Sequence, residues 1–98
     1  MKKTVVVTYH CKPGMREAFL AALKAEKLDE ACRQEAGNIR YNYAFSTADP
    51  DEMILLEMWK DAEAVDFHNA TSHFARIGEV KKEYVLDTTI ERYDVPEE

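Results

Sequence analysis

The sequence predicts an α+β domain with the element order β-α-β-β-α-β, and three observations carry this prediction. The 98 residues are 46% hydrophobic and 33% charged, with only three glycines and three prolines, which is typical of one small globular domain spanning residues 1–98. Four segments have the alternation or the β-branched composition of strands. Two longer segments between them carry apolar residues at helical spacing.

The first predicted strand covers residues 4–10, which are rich in β-branched side chains. The segment Lys12-Pro13-Gly14 ends it, because proline removes a donor from the strand ladder and glycine permits a turn. One face of this strand carries Val5, Val7 and Tyr9. The other carries Thr4, Val6, Thr8 and His10.

A single long helix is predicted from Met15 to about Ala36. Helix propensity is high throughout this segment, and Gly37 follows it as a plausible C-terminal cap. The apolar residues that recur at near-helical spacing are Phe19, Leu20, Leu23, Leu28, Ala31 and Cys32.

A β-hairpin is predicted next, with strands at residues 39–46 and 53–60. The turn between them contains Asp49-Pro50-Asp51. The first strand alternates apolar and polar residues. The second is apolar on both faces apart from Glu57 and the terminal Lys60, which predicts a strand inside the sheet.

The second helical region begins after Asp61, which is a good N-cap residue. Its apolar candidates to turn inward are Ala64, Val65 and Phe67. The segment 69–72 interrupts the pattern, so Thr71 or Ser72 is predicted to cap a further helical piece that holds Phe74, Ile77 and Val80. A last strand follows over residues 83–93.

This order is that of the ferredoxin-like split βαβ fold, in which helices cover one face of an antiparallel sheet. The other face still carries large apolar and aromatic side chains, which predicts that a second copy packs on it. We therefore expect a homodimer.

Charge and hydropathy exclude several classes of partner. The formal net charge of −6 and the isoelectric point near 5.1 argue against nucleic acid. No apolar run approaches the ~20 residues that cross a bilayer, and the N-terminus lacks the features of a signal peptide, so we expect no membrane partner. A cytoplasmic location is expected, with Cys11 and Cys32 as reduced thiols.

The chain contains no general catalytic motif such as a phosphate-binding glycine loop or a Gly-x-Ser-x-Gly elbow. Its three histidines, at positions 10, 68 and 73, lack the i, i+4 spacing that places two ligands on one helical face. The sequence therefore predicts no metal site.

The segment from Leu55 to Phe74 contains the side chains best suited to chemistry. Glu57 lies two residues from Trp59 on one face of an apolar strand, where a carboxylate is costly unless it is paired. It either forms an ion pair with Arg40 or Arg92 or orients a ligand or a histidine in a pocket.

Other side chains also have two interpretations. Tyr41 and Tyr43 fit ordinary sheet positions or the neighbourhood of a pocket, and Trp59 fits a core or a ligand platform. His68 and His73 fit surface or capping positions, but imidazole also titrates near neutral pH and is suited to proton transfer.

These segments together resemble the antibiotic biosynthesis monooxygenase superfamily, whose domains are dimeric α+β barrels. The resemblance covers nearly the whole chain. The family commonly has Glu-x-Gly before the second strand, Glu-x-Trp on the third, and two histidines in the following helical segment. The matching segments here are Lys12-Pro13-Gly14, the helix with Phe19, Glu35 to Tyr41, Glu57-Met58-Trp59, Ala64 to His68 and Ser72-His73-Phe74.

The resemblance implies a cofactor-independent monooxygenase that oxidises a small phenolic, hydroquinone or polyketide-like substrate with O2. Similar members use no flavin, haem or metal. It implies catalytic roles for His68 as the proton acceptor or orienting group, for Trp59 as an aromatic wall and for Glu57 beside them. The substrate-binding residues that it implies are Tyr41, Tyr43, His73 and Phe74.

Two alternatives stay open. Isomerases of a phosphorylated autoinducer-type sugar have the same fold and similar pocket residues, and the cations available for such a phosphate are mainly Arg40, Arg76 and Arg92. A small-ligand-binding dimer without turnover is equally compatible with the fold. Haem-degrading relatives are disfavoured, because Gly78 stands where they have the histidine that binds iron.

Overall fold

A computed structural model describes residues 1–96, and its elements follow the predicted order. The second helical region is divided in two as predicted, and the first is divided as well. The last strand begins two residues later than expected, because the preceding helix continues through Tyr84. The elements are β1 (Lys2–Cys11), α1 (Arg16–Ala25), α2 (Leu28–Arg33), β2 (Asn38–Phe45), β3 (Glu52–Trp59), α3 (Ala62–Asn69), α4 (Ser72–Tyr84) and β4 (Val85–Val95).

The four strands form an antiparallel sheet in the order β2-β3-β1-β4, which confirms the ferredoxin-like α+β fold. Strand β3 lies inside the sheet, as its apolar composition predicts. The register aligns Tyr41, Glu57, Val5 and Arg92 in one row across all four strands. Side chains in one such row lie on the same face, so this row brings a carboxylate and a guanidinium to the face that the helices cover.

The helices cover the face of the sheet that carries Val5, Val7 and Tyr9, which share one face of β1 as its alternation predicts. Every second residue of β3 is buried on this same face, ending with the fully buried Trp59. Each large apolar side chain buried in this way stabilises the fold by roughly 1.5–3 kcal/mol. The helical residues that complete the core are Phe19, Leu23, Leu28, Cys32, Ala64, Ile77 and Val80.

The prediction of one helix from Met15 to Ala36 is wrong. Helix α1 ends at Ala25, and Lys27 adopts a left-handed conformation with φ of 55° before α2 begins. Leu23 and Leu28 are five residues apart, which is about 140° around an unbroken helix. The break turns Leu28 back toward the core, so that both leucines are buried.

Asp29 joins the two helices across this break. Its carboxylate accepts hydrogen bonds from Lys24 Nζ at 3.1 Å and Arg33 Nη1 at 3.0 Å, although the side chain itself is buried. Burial raises the pKa of Asp29, but the two cations more than offset it and hold the pKa below its usual value. Asp29 therefore contributes most to folding stability in its ionised form.

Gly37 is not the helix cap that its position predicts, because α2 already ends at Arg33. Its role is a close approach between the start of β2 and α3. A Cβ atom at Gly37 would overlap the Cβ of Ala64, and the carbonyl of Gly37 accepts a hydrogen bond from the backbone of Lys60 at 2.9 Å. Only glycine fits this contact without a shift of α3.

Helix α3 begins as predicted, with the Asp61 carboxylate accepting from the Ala64 backbone N–H at 2.9 Å. The expectation that Phe67 turns inward is wrong, since its side chain is 66% exposed while His68 is 3% exposed. Ala64 and His68 lie at i, i+4 on the one face that an eight-residue helix presents to the sheet, and Phe67 lies beside that face.

Thr71 caps α4 as predicted, because its Oγ1 accepts from the Phe74 backbone N–H at 3.2 Å. Ile77 and Val80 are buried, but Phe74 is 42% exposed. Both cysteines are free and buried. No helix among residues 1–96 is long and apolar enough to cross a membrane.

Candidate functional site

A cavity of about 270 Å³ lies between the inner face of the sheet and helices α3 and α4. It is close to the lower end of the usual range for small-molecule sites, about 300–1,000 Å³, and most of its walls are apolar with a few polar groups. The lining residues are Val5, Val7, Tyr9, Tyr41, Leu55, Glu57, Val65, His68, Asn69, Phe74, Ile77, Gly78, Lys81, Thr88, Ile90 and Arg92.

Glu57 brings a carboxylate into the buried sheet face beside the cavity. Its Oε1 accepts a hydrogen bond from Trp59 Nε1 at 2.9 Å. Burial raises the pKa of Glu57 above its usual value, and the hydrogen bond from Trp59 and the nearby His68 offset only part of this effect. Glu57 therefore holds a proton more readily than an exposed glutamate does.

The predicted ion pair between Glu57 and Arg40 or Arg92 does not form among the described residues. Strand pairing places Tyr41, not Arg40, opposite Glu57, so Arg40 lies on the other face and its Nε donates to Asn42. Arg92 lies in the Glu57 row but lines the cavity instead of pairing with the carboxylate.

The two histidines meet on a single carboxylate, that of Glu35. Oε2 of Glu35 lies 2.7 Å from His68 Nδ1 and 2.8 Å from His73 Nε2. When the Glu35 carboxylate accepts both hydrogen bonds, the ring protons are on His68 Nδ1 and His73 Nε2. This tautomer leaves the lone pair of His68 Nε2 free, 3.9 Å from Glu57 Oε1.

His68 is held in place on several sides. Its ring packs against the indole of Trp59 with a centroid distance of 4.4 Å, and the edge of Phe74 meets it at 5.2 Å. The Glu35 hydrogen bond fixes the ring rotation. A neutral imidazole oriented in this way can accept a proton at Nε2, and the imidazolium that results would lie between the carboxylates of Glu35 and Glu57.

Four of the predicted site residues line the cavity, namely Glu57, His68, Tyr41 and Phe74. Three do not. Trp59 is fully buried behind His68, so it supports that ring and does not form the predicted aromatic wall.

The other two predicted residues outside the lining are His73 and Tyr43. His73 contacts the same Glu35 oxygen as His68, with 20% of its side chain exposed. Tyr43 packs against Tyr41, with ring centroids 5.7 Å apart and hydroxyl oxygens 3.5 Å apart. Burial raises the pKa of both tyrosines, so both phenols remain neutral near neutral pH.

Glu35 is the site residue that sequence reasoning missed. It follows α2 in a polar stretch where a glutamate is ordinarily solvated, yet its side chain is only 5% exposed. The available signal was its place in the Glu35-Ala36-Gly37 motif. The spacing of residues within one helix or strand could not show that this glutamate contacts two histidines that lie more than 30 residues away in the sequence.

One set of side chains here has the chemistry of metal ligands. A ligand atom from each of Cys32, Glu35, His68 and His73 lies within 4.8 Å of the others. Burial raises the pKa of the Cys32 thiol to about 12, so the free thiol is neutral.

Comparisons with known proteins agree with this fold and these segments. The family model described as antibiotic biosynthesis monooxygenase matches residues 4–80. YcnE of Bacillus subtilis (strain 168), named as a candidate monooxygenase, is 40% identical over 63 residues. That alignment covers 64% of this chain and 64% of YcnE, so less than two thirds of this curated relative is matched.

Solved structures match over much more of the chain. The crystal structure of protein SO0527 from Shewanella oneidensis is 31% identical with a TM-score of 0.85, covering 94% of this chain and 88% of that one. A conserved protein from Methanosarcina mazei Go1 is 29% identical, also with a TM-score of 0.85, covering 95% of this chain and 91% of that one. The fold is therefore shared over nearly the full length of these proteins.

Proposed function

Because this chain belongs to the antibiotic biosynthesis monooxygenase family, we propose that it is a cofactor-independent monooxygenase acting on a small phenolic, hydroquinone or polyketide-like substrate. The observation that carries the proposal is the His68 imidazole. Its Nδ1 is held by Glu35 at 2.7 Å, while the ring lines a mostly apolar cavity. This is the arrangement that a general base for a weakly acidic aromatic substrate requires.

The shape and chemistry of the cavity support an aromatic substrate. Val5, Val7 and Leu55 form an apolar floor from the sheet, and Ile77 of α4 and Ile90 of β4 add further apolar lining. The lining also contains polar side chains, among them His68 and Glu57. A flat ring would bury its faces on the apolar walls and present an acidic O–H or C–H to His68.

The proposed reaction uses the substrate as the electron donor. His68 Nε2 takes a proton, and the resulting anion passes one electron to O2, which gives a substrate radical and superoxide. Their combination forms a C–O bond and a peroxide anion. For a methylene between aromatic rings, transfer of the second C–H proton to the terminal oxygen then breaks the O–O bond and releases hydroxide, which takes up the proton held by His68.

Overall, the reaction converts one methylene group and one O2 into one ketone carbonyl and one water. One oxygen atom therefore enters the product and the other leaves as water. Lys81 and Arg92 line the same cavity and would stabilise the negative charge of the substrate anion and of superoxide. Apolar walls favour this step, because charges interact more strongly in a water-poor site.

The test is oxygen consumption by metal-stripped protein with a panel of hydroquinones and anthrone-like phenols, against the uncatalysed oxidation rate. We expect His68→Gln to lower kcat by about 100-fold or more, because general bases contribute about 10²–10⁴-fold. His10→Gln is the matched control, since His10 lies on β1 away from the cavity. Isotopically labelled O2 should place one atom in the product and one in water.

Unchanged turnover in His68→Gln would remove the proposed base. Ligand binding without oxygen uptake across the panel would favour the non-catalytic binding dimer. Conversion of a phosphorylated sugar without oxygen uptake would favour the isomerase. That alternative has weaker support, because Arg76 pairs with Glu26 on the surface and only Arg92 of the three predicted arginines lines the cavity.

We also propose that the protein is a homodimer, formed through the outer face of the sheet. Val6, Ile54, Leu56 and Met58 project from this face and are only partly buried, since no helix within residues 1–96 covers it. A contiguous apolar surface on a β-sheet is stabilised when a second sheet packs on it.

A further inference from the structure

We propose that Cys32, Glu35, His68 and His73 form a binding site for a divalent transition-metal ion, with zinc as the best match. The site lies where the end of α2 meets the junction between α3 and α4. One sulfur, one carboxylate oxygen and two ring nitrogens lie within 4.8 Å of one another. Thiolate, imidazole and carboxylate are the ligands that zinc takes in proteins.

The spacing of the four residues along the chain fits this interpretation. Cys32 and Glu35 are three residues apart, and His68 and His73 are five apart. Zinc sites are commonly built from two such ligand pairs, each close in sequence, which the fold brings together. The second pair comes from two helices, so the break between α3 and α4 allows both rings to aim at one point.

The distances require only small movements. Zinc binds sulfur at about 2.3 Å and nitrogen or oxygen at about 2.0–2.2 Å, so ligand atoms in a tetrahedral site lie roughly 3.3–3.8 Å apart. Both imidazoles already point at the Glu35 carboxylate from 2.7 and 2.8 Å. The four atoms therefore need to move by about 1 Å or less to surround an ion, and the ion displaces the protons on the sulfur and the two ring nitrogens.

A second and independent observation points to a missing ligand for Glu35. Its other oxygen, Oε1, is buried and has no hydrogen-bond partner within residues 1–96. No lysine or arginine in that range pairs with this carboxylate, although its side chain is only 5% exposed. A buried unsatisfied carboxylate oxygen is costly, and a bound cation would satisfy it.

The ion would act as a cross-link between α2, α3 and α4, and it would take His68 Nδ1 away from its hydrogen bond with Glu35. Occupancy is therefore expected to stabilise the fold. It is also expected to slow the reaction proposed above, a consequence that rests on the proposed function. The binding test below does not depend on turnover, so failure of one proposal is distinguishable from failure of the other.

The experiment titrates the full metal-stripped chain with Zn²⁺ against a chromophoric chelator, and with Co²⁺ as a spectroscopic probe. We expect one equivalent to bind, with a thiolate-to-cobalt charge-transfer band and the intense visible bands of tetrahedral cobalt. Cys32→Ser should lose the charge-transfer band and weaken zinc binding by more than ~10-fold, since loss of a mere hydrogen-bond partner of a metal ligand already costs about that much. Cys11→Ser is the matched control, because Cys11 is also a buried free thiol but lies outside the cluster.

Absence of stoichiometric binding would overturn the proposal, as would a charge-transfer band that persists in Cys32→Ser or disappears equally in Cys11→Ser. Circular dichroism and thermal unfolding without metal check that each variant folds. If Cys32→Ser does not fold, His73→Gln provides the test, since this side chain is 20% exposed and tolerates substitution more readily. Unchanged zinc affinity in a folded His73→Gln variant would equally exclude the site.

Discussion

At the scale of single residues, two buried glutamates on either side of His68 have different surroundings. Glu35 meets two imidazoles through Oε2, whereas Glu57 accepts one hydrogen bond from an indole. Burial therefore dominates for Glu57 and raises its pKa. Its carboxyl group can hold or share a proton beside the cavity.

This difference predicts how stability depends on pH. The pKa of Glu57 is higher in the folded protein than in the unfolded chain, where it is about 4.3. The protonated Glu57 side chain therefore contributes fully to folding stability below that unfolded pKa, and the contribution is lost as the pH rises through the folded-state pKa. Glu57→Gln keeps an acceptor for Trp59 Nε1 without the buried charge. We expect it to unfold at higher urea concentration than the wild type at pH 7–8, with the difference shrinking near pH 4.

Urea unfolding at several pH values between 4 and 8 measures this effect. Glu83→Gln is the control, because Glu83 is exposed and should change stability little at any of these pH values. A Glu57→Gln variant that is less stable than the wild type at pH 7 would show that the ionised Glu57 carboxylate stabilises the fold. That result would contradict the raised pKa of Glu57.

At the scale of elements, the contact between Gly37 and Ala64 sets how closely α3 packs on the start of β2. The same segment carries Glu35, and α3 carries His68, so this close approach brings the two side chains within hydrogen-bond distance. The packing of one helix therefore positions the proposed base.

Gly37→Ala is expected to lower the free energy of unfolding by about 1–3 kcal/mol, because the added methyl overlaps Ala64 and α3 must shift. Ala64→Gly, which alone costs about 1 kcal/mol of helix propensity, should recover part of the loss in the double variant. Gly78→Ala is the control, since nothing lies within 4 Å of its added Cβ, and it should stabilise α4 by up to about 1 kcal/mol.

A double-mutant cycle from urea unfolding gives these values. Additive effects of Gly37→Ala and Ala64→Gly would contradict a direct contact between the two positions.

At the scale of the whole molecule, the described part of the chain covers one face of the sheet with helices and leaves the other face uncovered. The uncovered face carries the half-buried side chains of Val6, Ile54, Leu56 and Met58. An apolar surface of this kind favours association, and two copies related by a twofold axis would cover each other's sheets.

The proposed dimer predicts that the protein sediments at twice the monomer mass of 11.3 kDa at micromolar concentration. Leu56→Arg places a charge at the centre of this face and should yield monomers that keep their helical circular dichroism. Phe67→Glu is the control, because Phe67 is a large exposed side chain on α3, away from the outer face. Sedimentation of the wild type as a monomer, or dissociation by Phe67→Glu, would contradict the proposed interface.

Local sequence pattern is sufficient to predict the strands, which residues share a face of β1 and of β3, and the caps at Asp61 and Thr71. These features depend on alternation or on a side chain beside its own backbone, so nearby residues determine them. The same reasoning placed Glu57 and Trp59 on one face, where they form a hydrogen bond.

Contacts between distant segments determine the helix break at Lys27 and the position of Trp59 behind the cavity. The same contacts determine that His68, and not Phe67, lies on the buried face of α3. They also determine the most informative contact, in which Glu35 joins two histidines. Periodicity shows which residues share a face of one element, but not which neighbour that face meets. That outcome depends on how helices of limited length pack across the sheet, which no stretch of neighbouring residues specifies.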